Sequence, residues 1–199
     1  YACHAAAAFE LATRLATGLS ALAVPGNWDR RRWNWFGPEI WEELFREAGY
    51  HFLLNHEYCD RGIRFWGTDD FRCGTPSYRV PARKCFSLVI SHNPDAIIPM
   101  EEHYASIDLI LCGHTHGGQV RIPGLGAIET SSFYWRKFDY GHYRHDHTGT
   151  HLIVTSGLGQ SGVPFRFFCR PEMVLIRLHY HPAGNIAPNR SATTEAAAK

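Results

Sequence analysis

No run of about eighteen apolar residues occurs in this chain, which excludes a bilayer-spanning helix within the sequence given. Cys-X-X-Cys pairs are also missing. Cys3, Cys59, Cys73, Cys85, Cys112 and Cys169 are scattered, and Cys85 and Cys112 lie in strand-like runs where cysteine behaves as a small buried hydrophobe. That argues against a disulfide framework. There is no internal repeat, and no excess of one charge: 20 Lys and Arg against 19 Asp and Glu leave a formal net charge of +1. Outside Arg30, Arg31 and Arg32 the basic residues are interspersed with acids, so an extended surface tracking nucleic-acid phosphates is not expected. The residues present suffice for one domain with a substantial core, since 45% of the 199 residues are hydrophobic.

The most informative stretch is Gly113-His114-Thr115-His116-Gly117-Gly118, which directly follows the apolar run Ile107 to Cys112. Two imidazoles one residue apart, where a buried strand gives way to glycines, can be aimed at adjacent metal positions, although an ordinary surface turn has the same letters. Two further strand ends carry similar chemistry. Leu88-Val89-Ile90-Ser91-His92-Asn93-Pro94-Asp95 ends a β-branched run in a histidine; Pro94 blocks helix at Asn93, and Asp95 is expected to cap the next helix. Leu22 to Pro25 runs into Gly26-Asn27-Trp28-Asp29, with an amide oxygen at the corresponding place. In open α/β sheets reactive groups gather beyond the carboxyl ends of strands, so Asn27, His92, His114 and His116 are expected to share one crevice.

In that order the three segments resemble the calcineurin-like metallophosphoesterases, whose signature runs Asp-X-His, Gly-Asp-X-X-Asp, Gly-Asn-His-Asp/Glu, a lone His, then Gly-His-X-His. Thr155-Ser156-Gly157-Leu158-Gly159 with Pro164, Arg166 and Pro171-Glu172 is similar to the closing segment of a bacterial branch. The likeness covers about Ala21 to Leu178. The first two blocks are absent and the chain opens without Met, from which an amino-terminal truncation is expected. The resemblance implies two divalent metal ions, manganese foremost with iron or zinc as alternatives. By position Asn27, His92 and His114 match the ligands of one ion and His116 a ligand of the other. A neutral set without the family's bridging carboxylate should hold metal weakly, with little hydrolysis.

Trp28 stands where the family has His, the proton donor to the leaving oxygen, and an indole N–H is too weak an acid for that role. Asp29 keeps its place without that partner. A leaving group that needs little help, such as the phosphate of a pyrophosphate, suits this change. The resemblance therefore implies a metal-dependent phosphohydrolase acting on a phosphoanhydride or phosphodiester in a phosphorylated small molecule or lipid-linked nucleotide. Some members of the branch cleave UDP-diacylglucosamine in lipid A synthesis. Peripheral membrane association, in the bacterial cytoplasm or at the inner membrane, would accompany that substrate; the oligomeric state stays open. A non-catalytic phosphate-binding or scaffold protein on the same fold is the alternative.

Arg30, Arg31 and Arg32, followed by Trp33, Trp35 and Phe36, form either a substrate rim of phosphate-binding forks and flat rings or a solvated loop. His142, His145 and His147 with Asp146 read as a solvated hairpin, and His56 beside Asn55 as a polar strand end in preference to a replacement acid. Periodicity predicts helices over Ala6–Leu19, Pro38–Ala48 (burying Ile40, Trp41, Leu44 and Phe45) and Asp95–Tyr104. Strands are expected at Leu22–Pro25, Tyr50–Leu54, Ile63–Gly67, Phe86–Ser91, Asp108–Cys112, Val120–Ile122, Gly126–Glu129, Leu152–Ser156 and Met173–His179. The expected architecture is α/β: two packed mixed sheets flanked by helices, a four-layer α/β/β/α sandwich incomplete at its amino terminus. One domain is expected over residues 1–180, with a disordered tail over 181–199.

Overall fold

The computed structural model describes residues 14, 20–31, 38–80 and 85–179. Most of the Ala6–Leu19 helix, Arg32 with Trp33, Trp35 and Phe36, and the 181–199 tail lie outside the described residues.

The chain is α/β with mixed sheets, as the alternation of helices and strands predicts, and its main sheet has six strands. Its order is β3 (His56–Asp60), β4 (Ile63–Gly67), β5 (Phe86–Ser91), β6 (Leu109–Cys112), β10 (His151–Val154) and β9 (Gly141–Arg144). β4, β5, β6 and β10 run parallel, and β3 and β9 close the edges antiparallel. Parallel strands are covered on both faces, so β5, β6 and β10 read as near-continuous apolar runs. β3 is not expected from the sequence: His56-Glu57-Tyr58-Cys59-Asp60 is too polar to announce a strand. It pairs because Arg61 and Gly62, at φ 48° and 78°, form a two-residue hairpin turn that brings Asp60 opposite Ile63.

Two small sheets accompany the large one. β1 (Ala21–Ala23) pairs parallel with β2 (Tyr50–Phe52), and β7 (Arg121–Ile122) pairs antiparallel with β8 (Gly126–Ala127). Helix α1 (Pro38–Glu47) starts on proline as expected, and its Phe45 stacks on Phe52 with ring centroids 5.1 Å apart. Only one of the two predicted rows is turned inward. Trp41 and Phe45 are half-buried, while Ile40 and Leu44, one position earlier on the helix, are exposed.

The predicted Asp95–Tyr104 helix is broken into a 3-10 turn (Pro94–Ala96), a single α-turn, α2 (Ile97–Met100), and a second 3-10 stretch (Glu101–Ser106). Pro99 has no N–H to give the Asp95 carbonyl, so an uninterrupted α-helix cannot form. Its cap is Asn93 rather than Asp95: Pro94 occupies the first position, and the Asn93 side chain accepts from Asp95 N at 2.9 Å. This segment covers one sheet face, where Val89, Ile97, Met100, Tyr104, Ile110 and Val154 form the core. The strand expected at Met173–His179 does not form. Its alternating residues have no partner strand among the described residues, and Leu175 is 84% exposed.

Candidate metal centre

Parallel pairing places the histidines together. β5 and β6 are in register with Ser91 opposite Cys112, so His92 and Gly113 leave the sheet side by side, and Gly113 N donates to His92 O at 3.1 Å. His92 Nε2 then lies 3.0 Å from His114 Nδ1 and 3.0 Å from Asn27 Oδ1. Asn27 reaches this point from the turn after β1, where Asp29 N and Arg30 N both donate to Gly26 O. Gly26 lets the turn come close to the ring: a Cβ there would stand 3.0 Å from His92, which would have to give way.

The turn that carries the other histidines is strained. His114, His116 and Gln119 have φ of 66°, 50° and 56°, a left-handed backbone costing about 1 kcal/mol or more at a residue with a side chain. Surrounding contacts hold it in place. Thr115 Oγ1 donates to Asp139 O at 2.6 Å, and Gly117, at φ 63°, has Cys169 Sγ where a Cβ would go. Arg166 grips the same turn, donating through Nη1 to His116 O at 3.2 Å and through Nη2 to the carbonyls of Ser156, Gly157 and Gly159.

All three imidazoles are biased toward the neutral form that a metal requires. Burial pushes His92 down to about 3, with the charges of His114 and His116 acting in the same direction. His114 is lowered chiefly by burial, against the opposing effect of its bond to the Ser131 carbonyl at 3.2 Å. His116 is lowered by burial, then by Arg166 and His114. Donors bonded to one ion at about 2.1 Å and at right angles to each other sit about 3.0 Å apart. The two spacings at His92 match that value, so Asn27, His92 and His114 fit one divalent ion. His116 lies near enough for its charge to act on His92 and for that of His114 to act on it. Among the described residues no three His, Cys, Asp or Glu side chains form a metal cage; the set is two imidazoles and an amide.

Asp29 has a position of its own: its Oδ2 accepts from Gly26 N at 2.7 Å and fixes the block containing Asn27. Burial raises its pKa, as does Asp70. Trp28 is 49% exposed beside the crevice, with the Arg31 guanidinium 3.9 Å from its ring. Arg30 turns away from any rim and pairs with Asp69 at 2.8 Å, an ion pair whose carboxylate is 1% exposed. His56 opens β3 as an exposed polar residue. On the edge hairpin of β9 and β10, His142 Nε2 meets His151 Nδ1 at 2.7 Å.

Sequence reasoning missed Asp70. It is fully buried, accepts from Arg72 N and Cys73 N through Oδ1, and leaves Oδ2 without a partner. Its charge is felt at both His114 and Asp29, so it biases the crevice toward a cation. The available signal was Thr68-Asp69-Asp70 at the end of β4, a fourth polar cluster beyond a parallel strand.

A mixed α/β sheet with imidazole and amide donors gathered beyond its strand ends is an arrangement that many classes of protein share. No family model matches the chain, and no solved structure gives a significant match. Curated proteins do. The uncharacterized metallophosphoesterase YkuE of Bacillus subtilis strain 168 is 30% identical over 185 residues, covering 88% of this chain and 62% of YkuE. Phosphodiesterase YaeI of Escherichia coli K12 is 36% identical over 149 residues, 68% of this chain and 50% of YaeI. A zebrafish (Danio rerio) transmembrane protein with a metallophosphoesterase domain is 34% identical over 159 residues, 70% of this chain and 35% of that protein. The chain belongs to the calcineurin-like metallophosphoesterase family. It spans less than two thirds of each of these relatives. No helix among the described residues is long and apolar enough to cross a membrane.

Proposed function

We propose that the chain carries part of the active site of a metal-dependent phosphohydrolase acting on phosphorylated small molecules. The observation that carries this reading is the meeting of Asn27 Oδ1, His92 Nε2 and His114 Nδ1 at 3.0 Å spacings around His92, from three separate segments. These three would hold one divalent ion and His116 would contribute to a second, manganese being the first choice and iron or zinc the alternatives. The chemistry such ions supply is Lewis-acid polarisation of a phosphoryl oxygen. The chain's own residues do the rest. Asp29 fixes the Asn27 turn, Asp70 supplies buried negative charge, and the strained His114–Gln119 turn holds its imidazoles in position.

Trp28 determines the leaving group. With no imidazole at that position, a substrate whose leaving oxygen is already a weak base is favoured, as in a pyrophosphate; a UDP-diacylglucosamine-like compound fits. YaeI, by contrast, is named a phosphodiesterase. Arg31, stacked on Trp28, is the candidate for meeting a substrate phosphate. The same exposed indole also favours a second reading, a phosphate-binding protein that turns nothing over. Manganese-supplemented assays on a UDP-sugar and on bis(4-nitrophenyl) phosphate separate the two. Hydrolysis abolished by chelator and by His92→Ala supports the enzyme, and phosphate binding without turnover supports the binder.

A further inference from the structure

Beside the crevice, large apolar side chains stand exposed on loops that are tied down by hydrogen bonds. Phe133 and Trp135 are 67% and 54% exposed, and Leu125 and Ile128, at and after the β7–β8 turn, are 55% and 51% exposed. Their loops are ordered. Ser132 Oγ and Phe133 N both donate to the buried Asp95 carboxylate, Thr130 Oγ1 donates to Trp135 O, and Arg136 Nη1 ties the two loops together at Leu125 O, 2.8 Å away. Cations lie on the rings: Arg72 is 4.7 Å from the Phe133 centroid and Arg136 is 4.5 Å from that of Trp135. Lys137 is exposed next to them.

We propose that this face docks onto an anionic lipid bilayer. Aromatic rings interleaved with Arg and Lys suit the boundary between headgroup and acyl chain, where the ring enters and the cation stays with the phosphates. Charge fits the same partner. Arg72, Arg136 and Lys137 form no ion pair among the described residues, and Glu129 is the one exposed acid in the loop from Ile128 to Tyr140. Two copies meeting through this face would bring like charges together, which disfavours self-association. Because the Ser131 carbonyl bonds His114 Nε2, docking would place the crevice beside the lipid surface.

Co-sedimentation with phosphatidylcholine vesicles, with and without phosphatidylglycerol, tests the assignment independently of any metal or activity. The expected result is pelleting with phosphatidylglycerol vesicles that weakens about thirtyfold in Lys137→Glu, through the loss of one near-surface cation and its reversal. The double variant Phe133→Ser/Trp135→Ser should lose pelleting while keeping its thermal unfolding transition. Pelleting equal on neutral vesicles, absent on anionic ones, or unchanged in the double variant overturns the proposal. A dimer on size-exclusion chromatography that the same double variant dissolves also overturns it, in favour of a second copy on this face.

Discussion

The Nε2 of His92 lies 3.0 Å from the Nδ1 of His114, although 22 residues separate them. Two neighbouring parallel strands deliver these nitrogens to one point, and Asn27 joins them from a third segment. The contact is a gap that one shared proton fills and that one cation can take over.

Gly26→Ala tests how closely that gap is built. The added Cβ would press on the His92 ring from 3.0 Å, tighter than ordinary van der Waals contact, so the ring must shift. Metal affinity should fall about tenfold or more, while the unfolding midpoint moves by about 1 kcal/mol of stability. An affinity unchanged from the parent chain would show that the ring position is not what binds.

Acid should loosen the metal-free protein through His92. Its folded pKa of about 3 lies below the ordinary value of 6.5, so between those two values the unfolded chain binds more protons. The His92 contribution to stability is complete above pH 6.5 and is lost as pH falls toward 3. Asp29 and Asp70 have raised values, the opposite sign, and favour the folded state as pH drops. Denaturant titrations of the parent chain and His92→Phe separate the two: the parent should lose more stability than the variant between pH 6.5 and 4.5.

Much of the centre was legible because its parts sit at strand ends. Histidine or asparagine just after an apolar run, glycine-preceded at Asn27 and His114, picked out Asn27, His92 and His114, and the parallel register of β5 and β6 explains why the two histidines meet. Asp70 was not legible, since a carboxylate acting across space leaves no spacing pattern. Arg30 misled for a related reason: a cation beside a site looks like a rim until its partner, Asp69, appears 39 residues away. The broken helix was readable from Pro99, and the absent Met173–His179 strand shows that alternation predicts a strand only where another strand pairs with it.

Trp28→His should restore a proton donor at an exposed position beside Asn27. In a preparation active with manganese, turnover of an alkyl phosphodiester should rise about a hundredfold, with a much smaller change on a phosphoanhydride. Equal gains on both substrates would remove the link between Trp28 and the leaving group.

Arg166→Met should release the segment over the His116 turn, because one side chain holds the carbonyls of His116, Ser156, Gly157 and Gly159. A loss of about 2 kcal/mol or more is expected, with faster amide exchange over residues 156–169. Exchange that rises equally in β5 and β6 would point instead to global destabilisation.

The most direct measurement is a titration of the chain with manganese or cobalt by calorimetry, alongside His92→Ala, His114→Ala and the hairpin control His142→Ala. One weakly held ion at Asn27, His92 and His114 predicts binding that vanishes in the first two variants and persists in the third. Binding retained in His92→Ala would contradict the metal centre and, with it, the hydrolase.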